Sequence, residues 1–474
     1  MRVRFSIPAR RPRKRSGAGW ANPSGSRRRL AASKRKRLET RMSAYGRDNP
    51  NYRPARAWSI AIMLALLMTV NFLDKVVFGM ISVPMMRDLG LTPTQFGLIG
   101  GSLNWLFAIA AVVGGVLADR VATRAILLLM ALSWSLLQLP MLFAGSMTVA
   151  LVTRVLLGAG EGPASPVSLH ALYKWFPDQK RGLPAAVLYQ GSALGLFVAG
   201  LAIPVITARW GWRTNFAVLA ALGFVWCVCW FFFGAEGPLE RPRALRDERR
   251  VPWSTLLADR TIVGNFCGHF AANWVLATSL TWMPHYLQAG LGFGAENSGR
   301  LFALFVAITT PMGLGLAWLS QHLLGAGMPS RKSRGVFIAI ALVAAGVLRF
   351  AVYLPALGPL VKVLMLTLSS GLTLVMYSVG PAMLSEVAPD GQRGAVLALS
   401  NAIGSLAGLA APVLTGVLIQ HAHGMTATAQ GFEQSCVLCG FVLIGCGVLC
   451  ARWLDPQRSR AAIQTVRDAE AVLS

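Results

Sequence analysis

Acidic residues are scarce in this 474-residue chain: 19 Asp and Glu stand against 45 Lys and Arg, and charged residues of both signs make up only 14%. With 54% hydrophobic residues and a mean hydropathy of +0.54, the chain is too apolar to solvate itself as a soluble two-domain protein, so lipid must be its solvent. Histidine is scarce as well, six in all. In the sequence no acid and no second His stands at ligand spacing from His170, His269 or His285, which leaves catalysis and metal binding without a constellation. A removable secretory signal does not fit, because the first apolar run begins only near Trp58 and is too long for one. The seven cysteines fall inside apolar segments. Cys436/Cys439 and Cys446/Cys450 have helical spacing and read as small core hydrophobes rather than metal ligands.

The formal charge of +26 is concentrated at one end. Residues 1–56 hold 18 Lys and Arg against Glu39 and Asp48, which accounts for +16 of the total. Runs such as RRPRKR (10–15) and KRKR (34–37) lack interleaved aromatics or a nucleic-acid-binding motif, so they read as a disordered cytoplasmic arm able to touch anionic lipid, with no specific nucleic-acid partner. The stretch before Met42 contributes to no span, which makes Met42 a candidate start of translation.

What the chain has in abundance is apolar runs of bilayer-spanning length. Six lie near 57–80, 94–118, 125–145, 147–173, 182–207 and 213–234. After a charged, Pro-containing stretch, six more lie near 262–287, 296–323, 335–354, 358–384, 393–420 and 433–453. The expected organisation is a basic tail (1–56), a six-helix bundle (57–234), a cytoplasmic linker (235–260), a second six-helix bundle (261–453) and a cytoplasmic tail (454–474). An even number of spans puts both termini on one side. Fifteen Lys and Arg fall in the loops on that side, and six on the other when Arg300, Arg349 and Lys362 are counted at outer helix ends. The termini are therefore read as cytoplasmic.

The halves repeat. PDQKRG (177–182) recurs as PDGQRG (389–394), each opening an apolar run, and VPMMRDLGL (83–91) echoes MPHYLQAGL (283–291). Parallel repeats of six helices are how a transporter builds two rocking bundles around a midplane site.

Ionisable residues within the runs are the candidate site. Asp74 and Lys75 end NFLDK in the first run, at a cost of at least roughly 2.5–3.5 kcal/mol each in hydrocarbon, and Asn71 shares their face. Arg154 and Glu161 lie two turns apart in RVLLGAGEGPASP, so they align on one face. Gly158, Gly160 and Gly162 permit close approach there, while Pro163 and Pro166 free carbonyls. Four charges in two helices could merely hold the bundle together, but their cost favours function.

These residues carry a resemblance. The chain resembles the major facilitator superfamily, and within it the anion:cation symporter family, over about residues 57–453. GVLADRVATR (115–124) is similar to the superfamily's gate motif, with Gly115, Asp119, Arg120 and Arg124 at matching positions and Ala122 where Gly is usual. NFLDK, RVLLGAGEGPASP, WFPDQKRG (175–182), GWRTNF (211–216), TWMPHYL (281–287) and Asn401 of SNAIG are more specific to the symporters. Two departures stand out. Lys75 replaces the family's usual Arg, giving a point charge where a bidentate fork is expected, and the second gate copy is degraded to LSQHLLG.

The resemblance implies an all-α fold of twelve transmembrane helices in two pseudo-symmetric bundles. It also implies proton-driven uptake of a small organic anion, such as a sugar acid, hydroxy acid or aromatic carboxylate, across a bacterial inner membrane. By position, Asp74 and Glu161 match proton carriers, and Lys75, Arg154 and Asn401 match substrate contacts. Ser192 and Tyr377 are added from helix facing. No cofactor is called for beyond the coupling proton, with sodium left open, and the bilayer and the anion are the expected partners of a monomer. An exporter or antiporter on the same fold, or a membrane sensor, is the rival reading.

Overall fold

A computed structural model describes residues 53–473 apart from 119, 144, 178–179, 240–250, 390 and 425–426; the basic arm of residues 1–52 lies outside the described residues. Among the described residues all regular structure is helical. The first bundle contains α1 (Pro54–Met80), α2 (Pro93–Ser102 continuing as Asn104–Ala118), α3 (Thr123–Leu142), α4 (Met147–Glu161 continuing as Ala164–Tyr173), α5 (Gly182–Trp210) and α6 (Thr214–Phe233). The second contains α7 (Arg260–Thr281), α8 (Ala295–Gly325), α9 (Phe337–Ala351), α10 (Pro359–Thr373 continuing as Val375–Val387), α11 (Arg393–His421) and α12 (Ala427–Trp453). A last helix, α13 (Pro456–Leu473), occupies the segment read as a tail.

Local signals set several boundaries. Thr92 caps α2 in a reciprocal box with Gln95, and Pro93 takes the first turn, where its missing N–H costs nothing. Asp259 caps α7 by accepting from the Thr261 and Ile262 amides at 3.0 Å. Among the described residues, ten helical spans are long and apolar enough to cross a membrane. The other two are α4, broken at Gly162–Pro163, and α7, which carries Asn265, His269 and Asn273 in its middle. Both departures from plain hydropathy fall on helices that line the site.

Packing repeats with a shift of six helices. α1 lies on α5 as α7 lies on α11, and α3 lies on α6 as α9 lies on α12. Between the bundles, α2 meets α11 and α5 meets α8, again an equivalent pair. The protein is thus two pseudo-symmetric six-helix bundles.

The bundles touch most tightly at the end remote from α13, termed here the far end. A methyl group on Gly79 of α1 would overlap the Leu280 carbonyl of α7, and one on Gly97 of α2 would overlap the Pro412 carbonyl of α11. Cross-bundle hydrogen bonds also gather there: Ser82 with His285 at 3.1 Å, Gln288 to the Met80 carbonyl at 3.4 Å, and the Thr94 amide to Gln420 at 3.3 Å. At the near end each bundle ties off its own charges. Glu236 accepts from Lys174 and Thr123, and Glu386 pairs with Arg334 at 2.6 Å. Past the linker, Gln392 clasps both backbone groups of Val251 at 2.7 and 2.8 Å. Ile463 of α13 joins Leu256, Ile262, Val387 and Val396 in one apolar cluster.

Candidate functional site

The glycines of α4 are what bring its charges onto α1. A methyl on Gly158 would overlap the Leu103 carbonyl at the break in α2, and one on Gly162 would overlap the Phe107 carbonyl, while Gly160 faces Trp134 of α3. With those positions pressed on α2 and α3, Glu161 is left on the side toward α1. Its Oε2 lies 3.8 Å from the Nζ of Lys75, the residue that follows Asp74. Asp74 accepts a hydrogen bond from Gln138 Nε2 of α3 at 2.7 Å. The ammonium of Lys75 sits over the rings of Phe72 and Phe107, 4.4 and 5.0 Å from their centroids. The guanidinium of Arg154 lies 4.1 Å from the Phe78 centroid.

The four charges found in the sequence therefore lie between α1 and α4, and they are incompletely satisfied. Glu161 is fully buried and Asp74 and Arg154 are 3% exposed. Yet Arg154 Nε and Nη1, Asp74 Oδ1, both Glu161 oxygens and both amide atoms of Asn71 have no hydrogen-bond partner among the described residues. Native interiors leave few such atoms, and each calls for a ligand, a proton or a water.

The second bundle supplies a neutral wall. Tyr377 donates to Asn273 at 3.2 Å, His269 and Ser400 are 2.8 Å apart, and the His269 and Tyr377 rings meet edge to face at 5.4 Å. The indole N–H of Trp274, on the same helix as His269, is buried without a partner. Asn401 is exposed and shares a helical face with Gly408, which packs on Asn104 of α2, so it faces the gap between bundles. Ser192 is half-buried and shares a face with the fully buried Leu188 and Ala199.

The gate motif lies at the near end. Arg124 is held by the Phe231 carbonyl at 2.6 Å and by Glu236, which its amide meets at 3.1 Å. Arg120 is exposed in the turn, Gly115 has open space beside it, and Asp119 lies outside the described residues. Burial opposes ionisation of Glu236, but the Lys174 ammonium, the Arg124 amide and the Thr123 hydroxyl together hold its carboxyl below the ordinary range.

Two features escaped the sequence reading. Gln138 is a lone amide in an apolar run, a signal of the same kind as Asn71. More consequentially, Arg349 and Lys362, counted at outer helix ends, are buried charges of the second bundle. Arg349 of α9 is 1% exposed and donates to Ser369 and Ser370 at 3.1 Å each. Lys362 of α10 pairs with Glu433 of α12 at 2.5 Å. Span-length windows had put these residues at helix ends, whereas neighbouring helices cover them.

Comparison with known proteins agrees with the fold. The chain is 29% identical over 390 residues to sodium-dependent phosphate transport protein 1, chloroplastic, of Arabidopsis thaliana, covering 77% of this chain and 74% of that one. It is 27% identical over 378 residues to the hexuronate transporter of Bacillus subtilis (strain 168), covering 76% and 87%. It is 26% identical over 420 residues to the probable sulfoacetate transporter SauU of Cupriavidus necator, covering 83% and 93%. Among solved structures, a bacterial homologue of the human lysosomal transporter Spinster, in an inward-facing and occupied conformation, superposes with a TM-score of 0.72 at 17% identity, over 87% of this chain and 98% of that one. The D-xylose-proton symporter superposes with a TM-score of 0.69 at 16% identity, over 85% and 99%. Residues 64–376, more than half of the chain, match the sequence profile of the Major Facilitator Superfamily, and this multi-pass membrane protein belongs to that family of transporters.

Proposed function

We propose that the protein imports a small organic anion, a carboxylate in particular, by proton-coupled alternating access, with the first bundle supplying the charged site. The observation that carries this reading is the burial of the Asp74 and Glu161 carboxyls beside Lys75, with oxygens that have no hydrogen-bond partner among the described residues. A buried carboxyl whose oxygens meet no donor is satisfied by taking a proton, and these two carboxyls are suited to hold one. A proton held there leaves Lys75 and Arg154 less neutralised, and the unpaired Nε and Nη1 of Arg154 are donors suited to a carboxylate fork. An arriving anion takes over the cations and favours the protonated pair. The bound proton favours the anion by the same factor, which is symport.

Three relatives, though of different cargo, are named for anions: phosphate, hexuronate and sulfoacetate. Tyr377, Asn401 and Ser192, on helices opposite or beside it, are assigned to the substrate's uncharged part. With the termini cytoplasmic in a bacterial inner membrane, the closed far end is the outer face.

The test is proteoliposome transport by Glu161→Gln across a panel of sugar acids, hydroxy acids and aromatic acids. The variant is expected to lose accumulation driven by a pH gradient while still exchanging labelled substrate between compartments. Accumulation that persists with the pH gradient alone would remove Glu161 from coupling. Accumulation by the parent protein with a sodium gradient alone would replace the proton by sodium.

A further inference from the structure

The second bundle's buried charges lie outside the substrate site, and their geometry leads to the far-end closure. Beyond Thr281, α7 does not continue as a regular helix. Trp282 caps it, Met283–His285 forms a short turn with Pro284 in its first positions, and Tyr286–Gly290 is a π-helical turn. Such interruptions free a helix end to move as a separate piece. This piece has two faces. One makes the cross-bundle contacts, His285 to Ser82 and Gln288 to the Met80 carbonyl. The other is fixed to its own bundle: the Tyr286 ring stacks on Phe432 at 4.2 Å between centroids, 18° from parallel. The Tyr286 hydroxyl donates to Glu433 Oε1 at 2.9 Å, and Lys362 Nζ donates to the same oxygen at 2.5 Å.

We propose that the chain Tyr286–Glu433–Lys362 is a latch that holds the outer piece of α7 against α1, so that closure of the far end depends on a buried ion pair far from the substrate. The residues suit that task. Tyr286 has no solvent exposure and Lys362 and Glu433 are 8% exposed, so water competes poorly for the bonds. Glu433 on α12 and Lys362 on α10 belong to two helices, so the pair gives the latch a fixed seat. Opening the far end must separate Ser82 from His285. In this proposal the hinged piece leaves α1 by swinging about Trp282–Pro284 ahead of the rest of its bundle, and that swing pulls the phenol from Glu433. The latch thus weights the equilibrium toward far-end closure without touching cargo or proton.

The test places spin labels through noncanonical amino acids at the exposed positions Arg87 and Arg300, one at the far end of each bundle, leaving the seven native cysteines in place. Pulsed electron–electron distances are then read in the full-length protein in nanodiscs. Tyr286→Phe keeps the ring stack and removes only the hydroxyl; Glu433→Gln removes the charge. Both are expected to raise the ratio of long to short distances by roughly tenfold, the factor implied by loss of one hydrogen bond to a charged group. The exchanged pair Lys362→Glu with Glu433→Lys is expected to recover much of the short distance. A parent-like distribution in Tyr286→Phe and Glu433→Gln would overturn the proposal, including the case in which thermal stability falls while the distances stay put. The distances report the gate and not the cargo, so this outcome is independent of which anion or coupling ion the transport assay finds.

Discussion

The two bundles each bury a cluster of charge, and the clusters differ in one respect that separates their roles. In the first, Arg154, Asp74, Glu161 and Asn71 keep polar atoms with no partner. In the second, Arg349 is met by Ser369, Ser370 and Cys436, and Glu433 by Lys362 and Tyr286. A buried group left unsatisfied costs about 1–3 kcal/mol, more if charged, and such a cost is tolerated where a ligand repays it. A satisfied cluster holds helices in place. The comparison teaches that buried charge in a membrane protein is functional by default, but that the hydrogen-bond inventory tells whether its function is to exchange partners or to keep them.

The sharpest way to break this comparison is to remove one arginine from each cluster. Arg154→Gln is expected to lower substrate uptake by roughly a hundredfold, the loss of a charge-assisted contact to the anion, with little change in thermal unfolding temperature. Arg349→Gln is expected to do the reverse. It strips donors from three buried partners and lowers the unfolding temperature by several degrees, while uptake per folded molecule stays within about threefold, less than one good hydrogen bond. Measuring both quantities on both variants decides the matter, and equal loss of uptake in the two would merge the clusters into one functional unit.

Gln138 offers a finer cut within the first cluster. Its amide donates to Asp74 at 2.7 Å, so it is a positioning residue for one carboxyl. Gln138→Leu is expected to slow uptake driven by a pH gradient by about tenfold, as one hydrogen bond to a charged group implies. Exchange of labelled substrate at equal pH on both sides should change little. Equal effects on the two assays would show that Gln138 holds the helix rather than the proton carrier.

How much of this was legible in the sequence follows from what hydropathy measures. Asp74, Lys75, Arg154 and Glu161 stood out because each interrupts an apolar run, and the six-helix repeat showed through PDQKRG and PDGQRG. Lys362 and Glu433 were hidden because they lie within a turn or two of a helix start, where a window over sequence cannot tell a loop from a flank covered by other helices. Tyr286 was hidden because the π-helical turn that aims it has no sequence mark beyond Pro284. The contact between Lys75 and Glu161 depends on which neighbours the glycines Gly158, Gly160 and Gly162 press against. The sequence showed that those glycines permit close approach, and only the packing shows to what. The last helix, with Ile463 packed beneath α7, α10 and α11, was read as a tail because one amphipathic face is too short a stripe to stand out in so apolar a chain.

The smallest effect belongs to a third kind of charge, half-exposed and paired at the near end. Glu236 gathers Lys174, Thr123 and the Arg124 amide at the point where the first bundle enters the linker. Its carboxyl is held below its ordinary value, so its contribution to stability is fully present above the unfolded-state value and is lost as pH falls through the folded-state value. Because the pair is partly solvated, that contribution is about 0.5–1 kcal/mol. Glu236→Gln is therefore expected to unfold about 1–3 °C earlier than the parent in detergent at pH 7, with the gap closing as the buffer is taken below about pH 4, the ordinary range for a glutamate. A gap that stayed constant with pH would assign the loss to packing of the side chain rather than to its charge. A gap as large as that of Arg349→Gln would place the near-end pair among the buried clusters after all.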